Sequence, residues 1–150
     1  MRRVVFDSSV LVSIALSEHG VPAQAWKAGR ALRFYLFTTQ AIIDEVRTTL
    51  NSPRIRRRHD CERAAAALIE SLTFDVFRVA GTAFVDVPVR DPNDYIILAA
   101  AADAEADVLV TSDQDLLVLR SFRGTLILTP RQFLNWLGEP EPDKPQGSHR

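Results

Sequence analysis

The chain has 150 residues, 47% of them apolar and 25% charged, the balance of one folded domain and not of a disordered segment. Its formal charge of −1 lacks the overall basic excess of a protein that grips nucleic acid across its whole surface. A single cysteine, Cys61, excludes an intrachain disulfide and argues against a thiolate zinc centre, and the three histidines lack ligand spacing, so any metal must be held by oxygen.

Arg3-Val4-Val5-Phe6 is a nearly continuous apolar run, as expected of a strand buried on both faces of a parallel sheet, and it ends at Asp7. Ser8 or Ser9 can cap a helix whose Val10, Leu11, Ile14 and Ala15 make one apolar stripe, with Gly20 expected to end the unit. Pro22 suits the first turn of a second helix reaching about Ala31, with Ala25, Trp26 and Ala28 as candidate buried positions. Arg33 to Thr38 is aromatic and β-branched enough for a second strand. Thr38 or Thr39 then caps a helix carrying Ile42, Ile43, Val46 and Leu50, which Asn51-Ser52-Pro53 stops.

Arg54 to Leu72 reads as one or two helices, basic first and alanine-rich later, and Phe74 to Val79 alternates as a strand until Gly81 breaks it. Thr82 to Arg90 is a connection. From Asp94 a small-residue helix runs through Ala102, Val108 to Val110 forms a strand, and Leu126 to Leu128 forms the last one. Thr129-Pro130 caps a closing helix with Phe133, Leu134, Trp136 and Leu137, and residues 138–150, with three prolines and no apolar anchor, are expected to be a disordered tail. Alternating strands and helices predict a three-layer α/β domain over residues 1–137 around a mostly parallel sheet. No run of about 18 apolar residues is present, so no membrane span is predicted. The absence of a signal-peptide pattern points to the cytoplasm.

Acidic residues gather at the element ends. Asp7 and Asp113 emerge at strand carboxyl ends, Asp94 opens a helix on the same rim, and Glu45 can reach inward from its helix. Carboxylates held this close repel one another and raise each other's pKa values, a penalty that a divalent cation removes. Mg²⁺ or Mn²⁺ suits such oxygen ligands, and in-line displacement at phosphorus is the chemistry these ions support. Ser9, Thr111 and Ser112 can orient the carboxylates or a water, or equally cap helices and form turns.

The segments FDSSVLVS, TQAIIDEV, DPNDYIILAAAADAEADVLVTSDQDLL and TLILTPRQFL resemble, in order, the motif blocks of PIN domains, especially bacterial VapC-like toxins of toxin–antitoxin systems. The resemblance spans about residues 3 to 137. It implies an α/β/α PIN-like fold and a Mg²⁺- or Mn²⁺-dependent endoribonuclease whose acidic quartet corresponds to Asp7, Glu45, Asp94 and Asp113. Asp115 matches a frequent fifth acid, and Ser9 sits at the hydroxyl or amide position of the first motif. RNA as substrate, a cognate antitoxin as partner and a homodimer are implied as well. Ser112 departs from the glycine common before the last aspartate. Asp91 matches a DPxD variant; it can support the site or do no more than cap the turn made with Pro92.

Each acid also has an ordinary role: Asp94 alone suits an N-cap, Asp113 and Asp115 a polar turn, and Glu45 an exposed helix position. Their joint order favours a metal site. Arg54, Arg56, Arg57 and Arg58 suit a phosphate-contacting rim or a solvated helix face. A phosphoacceptor domain, by resemblance to receiver domains, would call for a lysine beyond the last strand, where Thr129-Pro130 stands. A PIN nuclease of RNA processing outside any toxin pair and a catalytically silent RNA- or protein-binding module are the remaining alternatives.

Overall fold

A computed structural model describes residues 1–138; the expected tail, apart from Gly138, lies outside them. In chain order the elements are β1 (Arg3–Phe6), α1 (Ser8–Leu16), α2 (Val21–Arg30), β2 (Tyr35–Thr38), α3 (Gln40–Leu50), α4 (Pro53–Arg58), α5 (Glu62–Phe74), β3 (Phe77–Arg78), α6 (Pro92–Asp103), β4 (Val108–Val110), α7 (Gln114–Leu117), β5 (Ser121–Phe122), β6 (Thr125–Leu128) and α8 (Pro130–Leu137). The strands form one sheet in the order β3-β2-β1-β4-β6-β5. Every neighbouring pair is parallel except β5 and β6.

This order fixes the layers. From β1 the chain steps outward to β2 and β3, so right-handed crossovers put α1 to α5 on one face; the return from β3 to β4 and on to β6 puts α6 and α7 on the other. Consistent with this, α1 packs on α2 and α3, α3 packs on α5, and α8 closes against α2. Phe6, Phe34 and Phe133 join β1, the entry to β2 and α8, with ring centroids 5.1 to 5.9 Å apart. On the opposite face Ala99, Ala100 and Ala101 of α6 are buried, and side chains this small let a helix lie close to a sheet. The chain reverses its direction of travel between β1 and β4. The carboxyl ends of those two strands flank the crevice in which ligands of open α/β sheets collect.

Several expectations shift. Phe74 closes α5 instead of opening a strand, and pairing in that stretch is confined to Phe77 and Arg78, with the Val79 N–H bonding Thr38 O at 2.9 Å. The helical run that starts at Glu62 carries Leu68 and Leu72 into the core, and that burial outweighs the local alternation. Two helices, α4 and α5, occupy the basic and alanine-rich stretch. Gly20 is the N-cap of α2 and does not end α1, which stops at Leu16. Helix α6 begins at Pro92 with Asp91 as its cap, so Asp94 lies in its first turn. The strand β5 and the short helix α7 had no sequence expectation. Gly81 has φ +75°, and a Cβ there would stand 2.8 Å from Thr39 Cγ2, so both conformation and space require glycine.

Candidate metal centre

Asp7 leaves β1 just as the chain turns into α1. Its backbone N–H donates to Val110 O at 2.9 Å, which ties the end of β1 to the end of β4. Its carboxylate does not cap α1. Neither Ser8 nor Ser9 caps it either: both hydroxyls turn to the Asp7 carboxylate, Ser8 Oγ donating to Oδ1 at 3.3 Å and Ser9 Oγ to Oδ2 at 3.2 Å. The buried Thr111 hydroxyl donates to Asp7 Oδ2 at 2.6 Å and accepts from the Asp113 N–H at 3.0 Å. One threonine thus joins the two acids at the switch point. Three donors on one nearly buried carboxylate fix its position.

Asp113 caps α7, its Oδ1 accepting from the Asp115 N–H at 2.9 Å. Asp94 projects from the first turn of α6 and is only 4% exposed. Its Oδ2 has no hydrogen-bond partner, and neither has Glu45 Oε2. Burial, followed by the Asp113 carboxyl and the charges of Asp113, Asp91 and Asp7, pushes the Asp94 pKa up to about 7. Glu45 is raised as well, mainly by burial, with the Ser8 hydroxyl partly offsetting that and Asp7 and Asp91 adding to it. Asp7, Ser8, Ser9, Glu45, Asp91, Asn93, Asp94, Ile97, Ser112 and Asp113 line a cavity of about 290 Å³.

A hard divalent cation fits this donor set. The lining acids offer only oxygen, two buried carboxylate oxygens lack a donor, and Asp94, Asp113 and Asp115 can bring one carboxylate oxygen each within 4.8 Å of one another. Positive charge placed there would satisfy the orphaned atoms and relieve the repulsion that raises Asp94.

The sequence-selected acids Asp7, Glu45, Asp94 and Asp113 therefore meet at one cavity, with Ser9, Ser112 and Asp91 on its wall and Thr111 beneath it. Asp91 accepts from the Asn93 N–H at 2.9 Å as the cap of α6. Asp115 pairs with Arg90. The α4 arginines stand elsewhere: Arg56, Arg57 and Arg58 line a separate groove between α3 and α5 that shares no lining residue with the acidic cavity. Sequence reasoning does not pick out Ser8 or Arg90 as part of the site. The place of Ser8 beside Asp7 is visible in the sequence, whereas the reach of Arg90 to Asp115 depends on the fold.

A family model described as a PIN domain matches residues 3–115. No curated protein matches the chain. Among solved structures, that of VapC20 from Mycobacterium tuberculosis, a sarcin-ricin loop cleaving toxin, aligns with a TM-score of 0.56 at 19% identity over 82% of this chain and 98% of that one. At that identity the likeness shows a shared fold.

Proposed function

The chain belongs to the PIN domain family, and from that premise we propose that it is a Mg²⁺- or Mn²⁺-dependent endoribonuclease, the toxin of a toxin–antitoxin pair. The observation that carries this reading is the pair of buried, unpartnered carboxylate oxygens on Asp94 and Glu45 beside Asp7 and Asp113. Asp7, Glu45, Asp94 and Asp113 would hold the ion. A bound divalent ion supplies charge neutralisation at the phosphate and makes water a better nucleophile. Ser8, Ser9 and Thr111 hold Asp7 in a single orientation, and Thr111 gives Asp113 the same register. Asp94, which burial tends to keep protonated, would have to be deprotonated to serve as a ligand. Glu45, with its Oε2 unpartnered at the wall, would share in holding the ion.

The toxin reading brings with it a cytoplasmic location, a cognate antitoxin and a homodimer. Half-buried Ile14, Leu16 and Trp26 on α1 and α2 are apolar positions that such contacts would cover. Incubation with a mixed RNA pool in Mg²⁺, Mn²⁺ or chelator, followed by sequencing of the cut ends, tests the activity. The pool should include a sarcin-ricin loop, because the structural neighbour is named for cutting one. Metal-dependent cleavage lost in Asp7→Asn and Asp113→Asn with the fold intact is expected. No cleavage under any condition would leave a silent binding module as the better reading.

A further inference from the structure

Arg90 ends the connection between β3 and α6 and stands immediately before Asp91. That connection is pinned along its length. The Thr82 N–H bonds Asp103 Oδ2 at 2.8 Å, Arg123 donates to Phe84 O at 2.6 Å and pairs with Asp86 at 3.5 Å, and the Val89 N–H reaches the Tyr95 hydroxyl at 3.4 Å. The Arg90 backbone is thereby held while its side chain stays 85% exposed. Its guanidinium bonds Asp115 Oδ1 at 2.5 Å. Asp115 lies two residues beyond Asp113, the cap of α7, so this bond crosses from the start of α6 to the start of α7 at the acidic cluster. Among the described residues, no lysine or arginine lines the cavity itself.

We propose that Arg90 is the substrate-phosphate contact of this centre and that Asp115, instead of serving as a metal ligand, is the positioning residue that holds it. The assignment rests on the ribonuclease reading. A guanidinium offers five donors in a planar fork, and one acceptor occupies only part of it, so the rest is available to a phosphodiester. The cavity selects a cation for its centre, yet a polyanion must approach it, and a fixed arginine at the mouth reconciles the two. The carboxylate of Asp115, committed to Arg90, pre-orients that fork and lowers the ordering cost of contact.

Three variants, Arg90→Ala, Arg90→Lys and Asp115→Asn, separate these roles. Mn²⁺ affinity is measured by titration calorimetry, and binding of a single-stranded oligoribonucleotide is measured in chelator by fluorescence anisotropy over a range of salt. Arg90→Ala is expected to weaken RNA binding about tenfold and to flatten the salt slope by about 0.7, the change expected when one phosphate of a single strand is no longer neutralised, while Mn²⁺ affinity stays within about twofold. Arg90→Lys should recover the slope but not the full affinity, because it keeps the charge and gives up the fork. Asp115→Asn should weaken RNA binding while sparing Mn²⁺, and adding it to Arg90→Ala should cost nothing further. Loss of Mn²⁺ binding in Asp115→Asn would make that residue a ligand and overturn the assignment. Equal RNA affinity and slope in Arg90→Ala and the wild type would also overturn it. A wild type that neither binds nor cuts RNA would instead remove the ribonuclease reading, and this one with it.

Discussion

Asp94 concentrates the electrostatic tension of the cavity. Its folded pKa of about 7, against an ordinary 3.8, reflects burial first and the Asp113 carboxyl second. A raised carboxyl pKa means that the folded state holds the proton more tightly than the unfolded one. Between pH 4 and pH 7 stability therefore falls as pH rises, and above that window it levels off. Asp94→Asn keeps the shape and removes the charge. In chelator at pH 8 the variant should be more stable than the wild type by about 2–4 kcal/mol, with the two converging near pH 4, as read by urea unfolding. Added Mn²⁺ should raise the melting temperature of the wild type at pH 8 and do little for the variant. A variant no more stable than the wild type at pH 8 would mean that Asp94 is not under charge strain. Thr111 makes the complementary case, since its hydroxyl serves Asp7 and Asp113 at once. Thr111→Val should cost about 1–3 kcal/mol by leaving buried polar groups unpaired. It should lower kcat more than Thr111→Ser does, and steady-state assays of both variants with matched circular dichroism check this.

At the scale of elements, α6 delivers Asp94 and is held in three ways: Asp91 caps it, Pro92 sets its first turn, and its alanines pack in the core. Asp91→Ala removes the cap and should cost about 1 kcal/mol. Ala100→Leu should cost about 1–3 kcal/mol by overpacking, and because it pushes α6 outward it should also weaken Mn²⁺ binding, which Asp91→Ala should affect less; thermal melts paired with Mn²⁺ titration separate the two. The elements that were legible in the sequence are those with dense apolar periodicity. The strands β1, β4 and β6 are short apolar runs, and α3 and α8 carry both caps and stripes, Thr129 with Gln132 forming a full capping box. The acids Asp7, Glu45, Asp94 and Asp113 were legible because each adjoins such an element. Elements held by tertiary contacts escaped notice. The strand β5 exists only by pairing with β6 across a tight hairpin and α7 is a single turn capped by Asp113, while the strand expected over Phe74 to Val79 shrinks to the two exposed edge residues of β3. The capping role offered for Asp91 is the one the structure shows, whereas the pairing of Asp115 with Arg90 escaped for a similar reason, since an ion-pair partner is known only by which donor comes near.

At the scale of the whole molecule, the arginines of α4 lie apart from the acidic cavity. Carboxylates crowd the crevice at the switch point of the sheet, while Arg47, Arg56, Arg57, Arg58 and His59 line a groove of about 1020 Å³ together with Asp60, Glu62 and Glu70 and with the apolar Leu50, Ala65 and Ile69. Helix α3 connects the two regions, with Glu45 on the cavity and Arg47 and Leu50 on the groove. A short substrate bound at the acids need not touch the groove, whereas a long RNA can engage both. Arg56 is already bonded to Asn51 Oδ1 at 2.9 Å and stands 3.8 Å from Glu62, which leaves Arg57 and Arg58 as better candidates for phosphate contact. Replacing both by glutamine should therefore raise KM for a long RNA several-fold and flatten its salt dependence by about 0.7 for each phosphate that the two arginines neutralise. The same double variant should leave kcat unchanged on either substrate and KM unchanged on a short oligonucleotide. Arg90→Ala, in contrast, should impair short and long substrates alike, because it acts at the acids. If the groove variant behaved as the wild type on both lengths, the α4 arginines would be a solvated face, and the electrostatic attraction of RNA would rest on the rim of the acidic cavity alone.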